Sequence, residues 1–491
     1  MKKNILYTLL LALILISALF FPYDVHIQDV LLDVPAEKFD VYISPLRILL
    51  EPIVGPMLFF LRADQPVEEM ATLLIWLLFL LLPIFLSKQI KQNGLSGKAL
   101  LKGLLYWASR APLLVITWIA VLLTIIFVPL PSNTIINKNA DAVLVNTHSH
   151  SEWSHDGLIS QQGQMRWHDR NGFDAFFITD HNTHTHTLEF ATEKKNDELP
   201  TRPVVLCGEE FSGSNHITLL GLQRDFKTRG NTDAVVIDST HANGGVAIVA
   251  HWFDGERNSI QHYIDQGADG FEIVNQAEGL QYDRRIFKDI VEHCRRDSLL
   301  MTGVCDYHGY GSAALAWNAF SIPGNEKMSR SELQQAIMEI LRNHQQDKIT
   351  VLMYRDRPLF PRDQVFWSPV FNLVSYFRTL DKWQVISWFV WLFVASIFCR
   401  FVAQKLKITL KSNVFGTAFG LTASAFVLIK GLHLLSKAPA VQGYNEIYSE
   451  MGTQFSIIGI GFLLYSLIFL FVQHRYGRRI DKKKQTAISN D

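Results

Sequence analysis

"LVNTHSHSEWSHDG" (144–157) sets His148, His150, His155 and Asp156 directly behind the apolar run "AVLVN" (142–146). An apolar run of this length that ends in imidazoles and a carboxylate has the form of a buried strand with chemistry at its end. The reading of the chain turns on whether that form recurs, and it does. "FDAFFITD" (173–180), "RPVVLCGEE" (202–210), "HITLLGL" (216–222), "GVAIVAH" (245–251), "GFEIVN" (270–275), "LLMTGVCD" (299–306) and "KITVLMY" (348–354) are further short apolar runs. Helical patterns such as "NTDAVVIDSTHANG" (231–244) and "YDRRIFKDIVEHCRRDS" (282–298) lie between several of them. Strand, helix, strand in this order predicts an α/β domain with a parallel arrangement, in which functional side chains gather where strands end.

The rest of the chain has a different character. A bilayer core of roughly 30 Å takes about 20 mostly apolar residues to cross as a helix. Six stretches qualify or nearly so: 5–21, 71–87, 112–130, 383–399, 414–435 and 455–472. They predict a membrane region of three helices at 1–131, a soluble domain at 140–356, a second three-helix membrane region at 357–474, and a basic tail at 475–491. With six crossings, four basic clusters share one side: Lys2 and Lys3; Lys88 to Arg110; Arg400, Lys405, Lys407 and Lys411; and Arg475 to Lys484. By the positive-inside rule that side is the cytoplasm. Both termini are therefore expected inside a cell (inner) membrane, with the soluble domain on the extracytoplasmic, periplasmic face. The apolar stretch 41–61, which holds Arg47, Glu51 and three prolines, reads as interfacial or re-entrant, and the first helix as an uncleaved anchor. The "GTAFG" stretch (416–420) suggests close helix packing. The 46 basic and 46 acidic side chains balance, so the totals carry no nucleic-acid footprint.

Within the soluble domain the strand ends share one chemistry. His148 and His150 follow the first strand, Asp180 and His181 the second, and Glu209 and Glu210 the third. His216 opens one run, His251 closes another, and Asp306 and His308 follow the last. One histidine at a strand end is ordinary; five ends of this kind point to a metal site. Mixed imidazole and carboxylate donors suit Zn, Mn or Fe, whereas Ca calls for oxygen alone.

The segments "HSHSEWSHDG", "FFITDHN", "GEEFSGSNH", "VAIVAHW" and "GVCDYHG", in this order, resemble the successive signatures of the PHP (polymerase and histidinol phosphatase) domain. The resemblance covers about residues 140–355. It implies a distorted (β/α)7 barrel and a cluster of two or three divalent metal ions that hydrolyses phosphate esters. Carried over position by position, it implies His148, His150, Asp156, His181, Glu210, His216, His251, Asp306 and His308 as metal ligands. Glu210 would bridge two ions, and a third metal or a protonated pair such as Asp306 with His308 would assist the leaving oxygen. Three positions depart from the pattern. His155 is inserted, so that it keeps the spacing from the histidines while Asp156 keeps its place before Gly157, and Asp156 is the preferred ligand of the two. Trp252 replaces a proline, and Cys305 a serine.

Other residues are weighed from their own surroundings. Asp180 is expected to orient an imidazole from behind. Glu209 has the opposite strand parity to Glu210 and so points elsewhere. His184 and His186 read as exposed loop residues, His241 as a helix end before the Gly244–Gly245 turn, and Trp317 and Asn318 as either substrate-lining or core. Cys207, Cys294 and Cys305 are expected as buried free thiols, since no C-x-x-C pair marks a redox or zinc site. The expected activity is that of a membrane-anchored phosphoesterase in which water held between cations becomes the nucleophile. The expected partners are the lipid bilayer and a phosphate ester, with lipid-linked esters favoured. The alternative is a non-catalytic, metal-stabilised sensor or assembly module.

Overall fold

The computed structural model describes residues 2–62, 66–195, 202–254, 258–357, 362–405 and 412–488. Lys407 and Lys411, counted above among the basic residues, lie outside them.

The strands are β1 (His26–Asp29), β2 (Val34–Pro35), β3 (Phe39–Tyr42), β4 (Thr134–Asn137), β5 (Ala142–Asn146), β6 (Ala175–Ile178) and β7 (Val204–Ser212). They continue as β8 (His216–Leu220), β9 (Val246–Val249), β10 (Gly270–Asn275), β11 (Leu280–Gln281), β12 (Leu300–Val304), β13 (Ala316–Ser321) and β14 (Ile349–Arg355). Every residue of β5, β6, β9 and β12 is buried, as expected of strands covered on both faces. Alternate residues enter different cores. Leu144, Phe176 and Ile178 join the larger cluster, and Val143, Val145, Ala175 and Phe177 the smaller one. The helix Arg330–Arg342, started by a Ser329/Glu332 capping box, seals the smaller cluster with Leu333, Ile337 and Leu341.

Twelve strands form one sheet. β5, β6 and β7 pair in parallel, as do β9, β10 and β12. Between these sets the expected parallel order fails, because β7, β8 and β9 pair antiparallel. Only three residues separate β7 from β8, too few for a crossover, so they can pair only as a hairpin. On the other side of β5 lie β13, β14, β1 and β2. The segment after the first helix thus supplies strands to the soluble sheet, through the antiparallel pair of His26–Asp29 with Leu352–Arg355. That contribution was not foreseen, since so short a stretch shows no clear alternation.

The two ends of the β5-to-β12 run meet. Past β12 the chain continues into Asp306 and Tyr307, which lie against the continuation of β5. Ser149 and Tyr307 form a parallel bridge, Asp306 N donates to the His148 carbonyl (3.0 Å), and His150 N donates to that of Tyr307 (2.9 Å). Between the strands proper, the Asn318 side chain fills the gap. Its Nδ2 donates to the carbonyls of Gly303 (2.7 Å) and Val145 (3.1 Å), and its Oδ1 accepts from Gly303 N (2.8 Å). Asn318 is therefore a structural tie rather than a substrate contact. Trp317 is fully buried and donates to the Asn171 carbonyl (3.0 Å), so it too belongs to the core.

Four helices among the described residues are long and apolar enough to span a membrane: Pro66–Asn93, Gly97–Phe127, Gly416–Ala440 and Glu446–Gln473. The first and fourth expected spans coincide with shorter apolar helices, Thr8–Phe20 and Lys382–Phe398. The stretch 41–61 begins with the end of β3 and then forms the helices Pro45–Leu49 and Glu51–Leu61, with Arg47 and Glu51 paired and buried. In the last helix pair, close approach is set by Gly431, Gly452 and Gly459, where a Cβ would meet the facing helix within 2.8 Å. Of the "GTAFG" glycines only Gly420 is in close contact, against Leu113, while Gly416 has open space around it.

Candidate metal centre

The meeting of β5 with the end of β12 stacks their polar ends into one buried knot. His148 and His150 lie two residues apart on the continuation of β5, so their rings leave the same face. Gly157 then lets the loop fold back, since a Cβ there would lie 1.9 Å from the Ser151 carbonyl oxygen. This return brings Asp156 over the strand ends. Asp306 and His251 both take positive φ, a conformation unfavourable for side chains other than glycine and characteristic of functional sites. It is held by Asp306 N on the His148 carbonyl and by His251 N donating to Glu272 Oε2 (3.2 Å).

Hydrogen bonds define the faces of the first two imidazoles. His148 Nδ1 donates to Glu272 Oε1 (2.7 Å). His150 Nδ1 donates to Ser154 Oγ (3.2 Å), which donates in turn to Asp156 Oδ1 (2.6 Å). Each ring therefore turns Nε2 inward, and the two Nε2 atoms stand 2.9 Å apart. Glu210 lies at the centre. Its carboxylate is 3.1 Å from His148, 3.1 Å from His150, 3.4 Å from His181, 2.9 Å from His216 and 3.2 Å from His251. Asp306 Oδ1 stands 3.0 Å from His150 and 3.3 Å from His148. Asp156 Oδ2 is 3.2 Å from both His181 and His308.

This donor set fits divalent cations. Three overlapping groups, His150/Asp156/His181/His308, His148/His150/Glu210 and His181/Glu210/His216, each gather their ligand atoms within 4.8 Å. Asp306 Oδ1 and His216 Nδ1 are buried beside His150 (3.0 Å) and Glu210 (2.9 Å) but in no well-aligned hydrogen bond. Buried orphans of this kind are costly unless something else satisfies them, and a cation satisfies carboxylate and imidazole lone pairs alike.

The electrostatics agree. Burial alone would lower the His150 pKa, but hydrogen bonds and charge from Asp306 and Glu210 outweigh it and push the ring up to about 10. His148 is raised well above its ordinary value against the same burial penalty, by Asp306, Glu210 and Glu272. Burial would raise Glu210, yet the charges of His148 and His181 hold it well below the carboxylate range. The knot therefore holds protons more tightly than free imidazoles do, and an incoming cation must displace them. Apparent Mn affinity should rise with pH up to about 10, with proton release on binding. Calorimetric titration of Mn in buffers of different ionisation enthalpy checks this, and binding without proton release would count against it. By the same linkage, the raised folded pKa of His150 contributes its full stability below pH 6.5 and loses it as pH rises toward about 10.

Of the other residues weighed in the sequence, some take the places expected and others, His184 and Asp180 among them, do not. His155 points outward, 62% exposed, and reaches Asp156 only at 3.9 Å, while Asp156 faces His181 and His308. His184 is buried rather than on an exposed loop. It starts the helix Thr185–Lys195, where it bonds Glu209 and accepts from Phe226 N (3.3 Å). Glu209, of opposite parity to Glu210, is thereby held on the far side of β7. His186 is half exposed and stacks on Trp153, with ring centroids 3.4 Å apart. Asp180 orients no imidazole; it accepts from Ser151 N (2.5 Å) and Ser151 Oγ (2.8 Å), fastening the first loop. His241 closes its helix, as expected, and bonds Asp269 (2.8 Å). Cys207, Cys294 and Cys305 are free and buried.

Sequence reasoning missed Glu272, the carboxylate that orients His148. Its signal was present, since an acid in the middle of the apolar run "GFEIVN" cannot be buried without a partner. Asn275 donates to its second oxygen (3.1 Å), which completes its bonding. His168 was missed as well. It donates from Nδ1 to the Gln164 carbonyl and accepts at Nε2 from Asn146, and burial lowers it to about 3, so it is a neutral structural ring.

No family model and no curated protein matches this chain. Solved structures similar to it include PHP-like metal-dependent phosphoesterases. One is a two-domain protein from Bacteroides vulgatus containing a predicted PHP-like metal-dependent phosphoesterase: TM-score 0.34, 15% identity, 46% of this chain and 69% of that one. Another, from Bifidobacterium adolescentis and assigned to the metal-dependent phosphoesterases, aligns at TM-score 0.28 and 16% identity over 35% of this chain and 88% of its own. An amidohydrolase from Chromobacterium violaceum aligns at TM-score 0.29 and 14% identity over 39% and 96%. Likenesses this loose assign neither an activity nor a substrate to this chain.

Proposed function

We propose that this chain is a membrane-anchored phosphoesterase of the PHP type, its strands β5 to β10 with β12 forming a distorted (β/α)7 barrel. The observation that carries the reading is one buried carboxylate, Glu210, within 3.4 Å of five imidazoles. A structural carboxylate needs one or two such partners; five converging donors are the arrangement of a ligand bridging ions.

His148, His150, Asp156, His181, Glu210, His216, His251, Asp306 and His308 would hold two or three divalent ions of the Mn, Zn or Fe type. When bound, such ions supply Lewis acidity and a water that ionises near neutral pH. The chain's own residues do the rest. Glu272 and Ser154 keep His148 and His150 in the tautomer that offers Nε2. His216, Asp156 and His308 are the more accessible members of the set, and His308 Nδ1 donates to the Asp306 carbonyl (2.8 Å). Its Nε2 thus faces Asp156 and the mouth, where it would either ligate an ion or, where unligated, hold a proton for the departing oxygen. Asp306 sets that ring rather than delivering the proton.

The four membrane-length helices, with the two shorter apolar ones, support a six-crossing protein of the cell (inner) membrane with both termini cytoplasmic and the barrel periplasmic. A reporter fused after Asp491 tests the orientation and should be active only in the cytoplasm. The function is tested by metal analysis of the purified full chain and by its hydrolysis of p-nitrophenyl phosphate and bis(p-nitrophenyl) phosphate. Bound metal with no turnover of either ester would favour the sensor or assembly alternative.

A further inference from the structure

The candidate metal centre lies against the ends of the membrane helices. Gly311 N donates to the Ile126 carbonyl (2.8 Å), at the end of helix Ala111–Phe127. Tyr310, whose hydroxyl donates to the Asp156 carbonyl (3.3 Å), packs edge-on against Phe127, with centroids 6.3 Å apart. On the opposite flank, the connection between the last two membrane-length helices presses on the first metal-centre loop. Tyr444 N donates to the Glu152 carbonyl (2.7 Å). A Cβ on Gly443 would lie 2.1 Å from that same carbonyl oxygen, so this approach requires glycine.

An open cavity of about 490 Å³ lies between these parts. One wall is the candidate ligand His181 with Asn182; the opposite wall is Gly443–Glu446, where the helix Glu446–Ile488 begins. The stacked rings of Trp153 and His186 line it as well. Arg229, an exposed residue, also lines the cavity and has no hydrogen-bond or ion-pair partner among the described residues, although Glu446 lines the same space. The cavity therefore joins a metal site, a free guanidinium and the first turn of a membrane helix. A helix of that length meets water at the level of the lipid headgroups, a layer about 5–8 Å deep on each side of the hydrocarbon. Glu446, where that helix begins, lines the same space as His181.

We propose, on the phosphoesterase reading given above, that the substrate is a lipid-anchored phosphate ester taken from the bilayer surface. Its polar headgroup lies in this cavity, with an anionic group against Arg229, and its acyl chains stay among the helix ends. The oxygen of water bonds to phosphorus, the P–O bond to the alcohol breaks, and the alcohol leaves with a proton from that water. Arg229 selects the substrate through a charge-assisted, two-pronged contact.

The test uses the Mn-loaded full chain in mixed micelles. Two lipids, dioleoyl phosphatidic acid and dioleoyl phosphatidylglycerol, are each compared with their water-soluble counterparts, glycerol 3-phosphate and glycerophosphoglycerol. In one of the two pairs, kcat/KM for the lipid should exceed that for the soluble ester by about tenfold or more. Arg229→Ala should lower that lipid's kcat/KM by about tenfold, through KM, and that of p-nitrophenyl phosphate by much less. Native mass spectrometry supplies a readout independent of turnover: wild type should retain one such lipid, and Arg229→Ala should lose it. Turnover of the chromogenic esters with no lipid preference overturns the proposal, and so does an equal loss on lipid and chromogenic ester in Arg229→Ala. Absence of any turnover despite bound metal overturns the phosphoesterase reading instead. The lipid-retention comparison then decides the headgroup cavity by itself, retention supporting it and equal absence in both proteins ending it.

Discussion

A Glu210→Gln variant should lose most of its bound metal and about a thousandfold in kcat, some 4 kcal/mol of transition-state stabilisation. The amide keeps the volume of the carboxylate but not its charge, and its NH2 directs protons at rings that must offer lone pairs. Five imidazoles lose their common acceptor at once. The proton affinity of His148 and His150, raised in part by this carboxylate, falls. Glu272→Gln acts one bond further out, through His148 alone, and should cost only about 10–100-fold in metal affinity or activity. Metal content by elemental analysis and hydrolysis of p-nitrophenyl phosphate measure both variants. A Glu210→Gln protein that keeps its metal and a rate within tenfold of wild type would remove the basis of the assignment.

The second large effect is on stability. Asn318→Ala should destabilise the soluble domain by about 3 kcal/mol or more, because each buried backbone group left unpaired costs about 1–3 kcal/mol. The amide of Gly303 and the carbonyls of Gly303 and Val145 all depend on this side chain, in a gap no strand hydrogen bond crosses. For a domain of roughly 200 residues the loss corresponds to a fall of about 6–12 °C in Tm. Thermal unfolding of the full chain followed by near-ultraviolet circular dichroism reads it. An unchanged Tm would show that the β5 and β12 ends are held together by their own backbone contacts near Ser149 and Tyr307, with Asn318 incidental.

Asn318 also shows what a linear reading cannot reach. In the sequence it is one residue of an apolar run, equally suited to a core or to a substrate opening. Its role exists only because β13 runs antiparallel beside β5 and faces the gap to β12. The same holds for Glu272: its partner His148 is 124 residues away, and only the closure of the strand run brings them to 2.7 Å. His184 illustrates the opposite failure. A Thr/His-rich stretch has the composition of a loop, but the helix that starts there turns this ring inward onto Glu209, and a hydrogen-bonded pair is cheap to bury where a lone imidazole is not.

The sequence by itself determined the strand ends and their chemistry. Apolar runs of four to nine residues are long enough to set strand direction and parity, so His148, His150, Glu210 and Asp306 could be placed at one end of a sheet from spacing alone. It also determined four of the six segments expected to be apolar over membrane length, since apolarity depends on composition and not on contacts. Only the tertiary structure decided that Asp156 rather than His155 turns inward, that β8 reverses the parallel order, and that helix ends wall the cavity beside His181. Those outcomes rest on loop closure and on contacts between residues far apart in the chain, which local propensity does not encode.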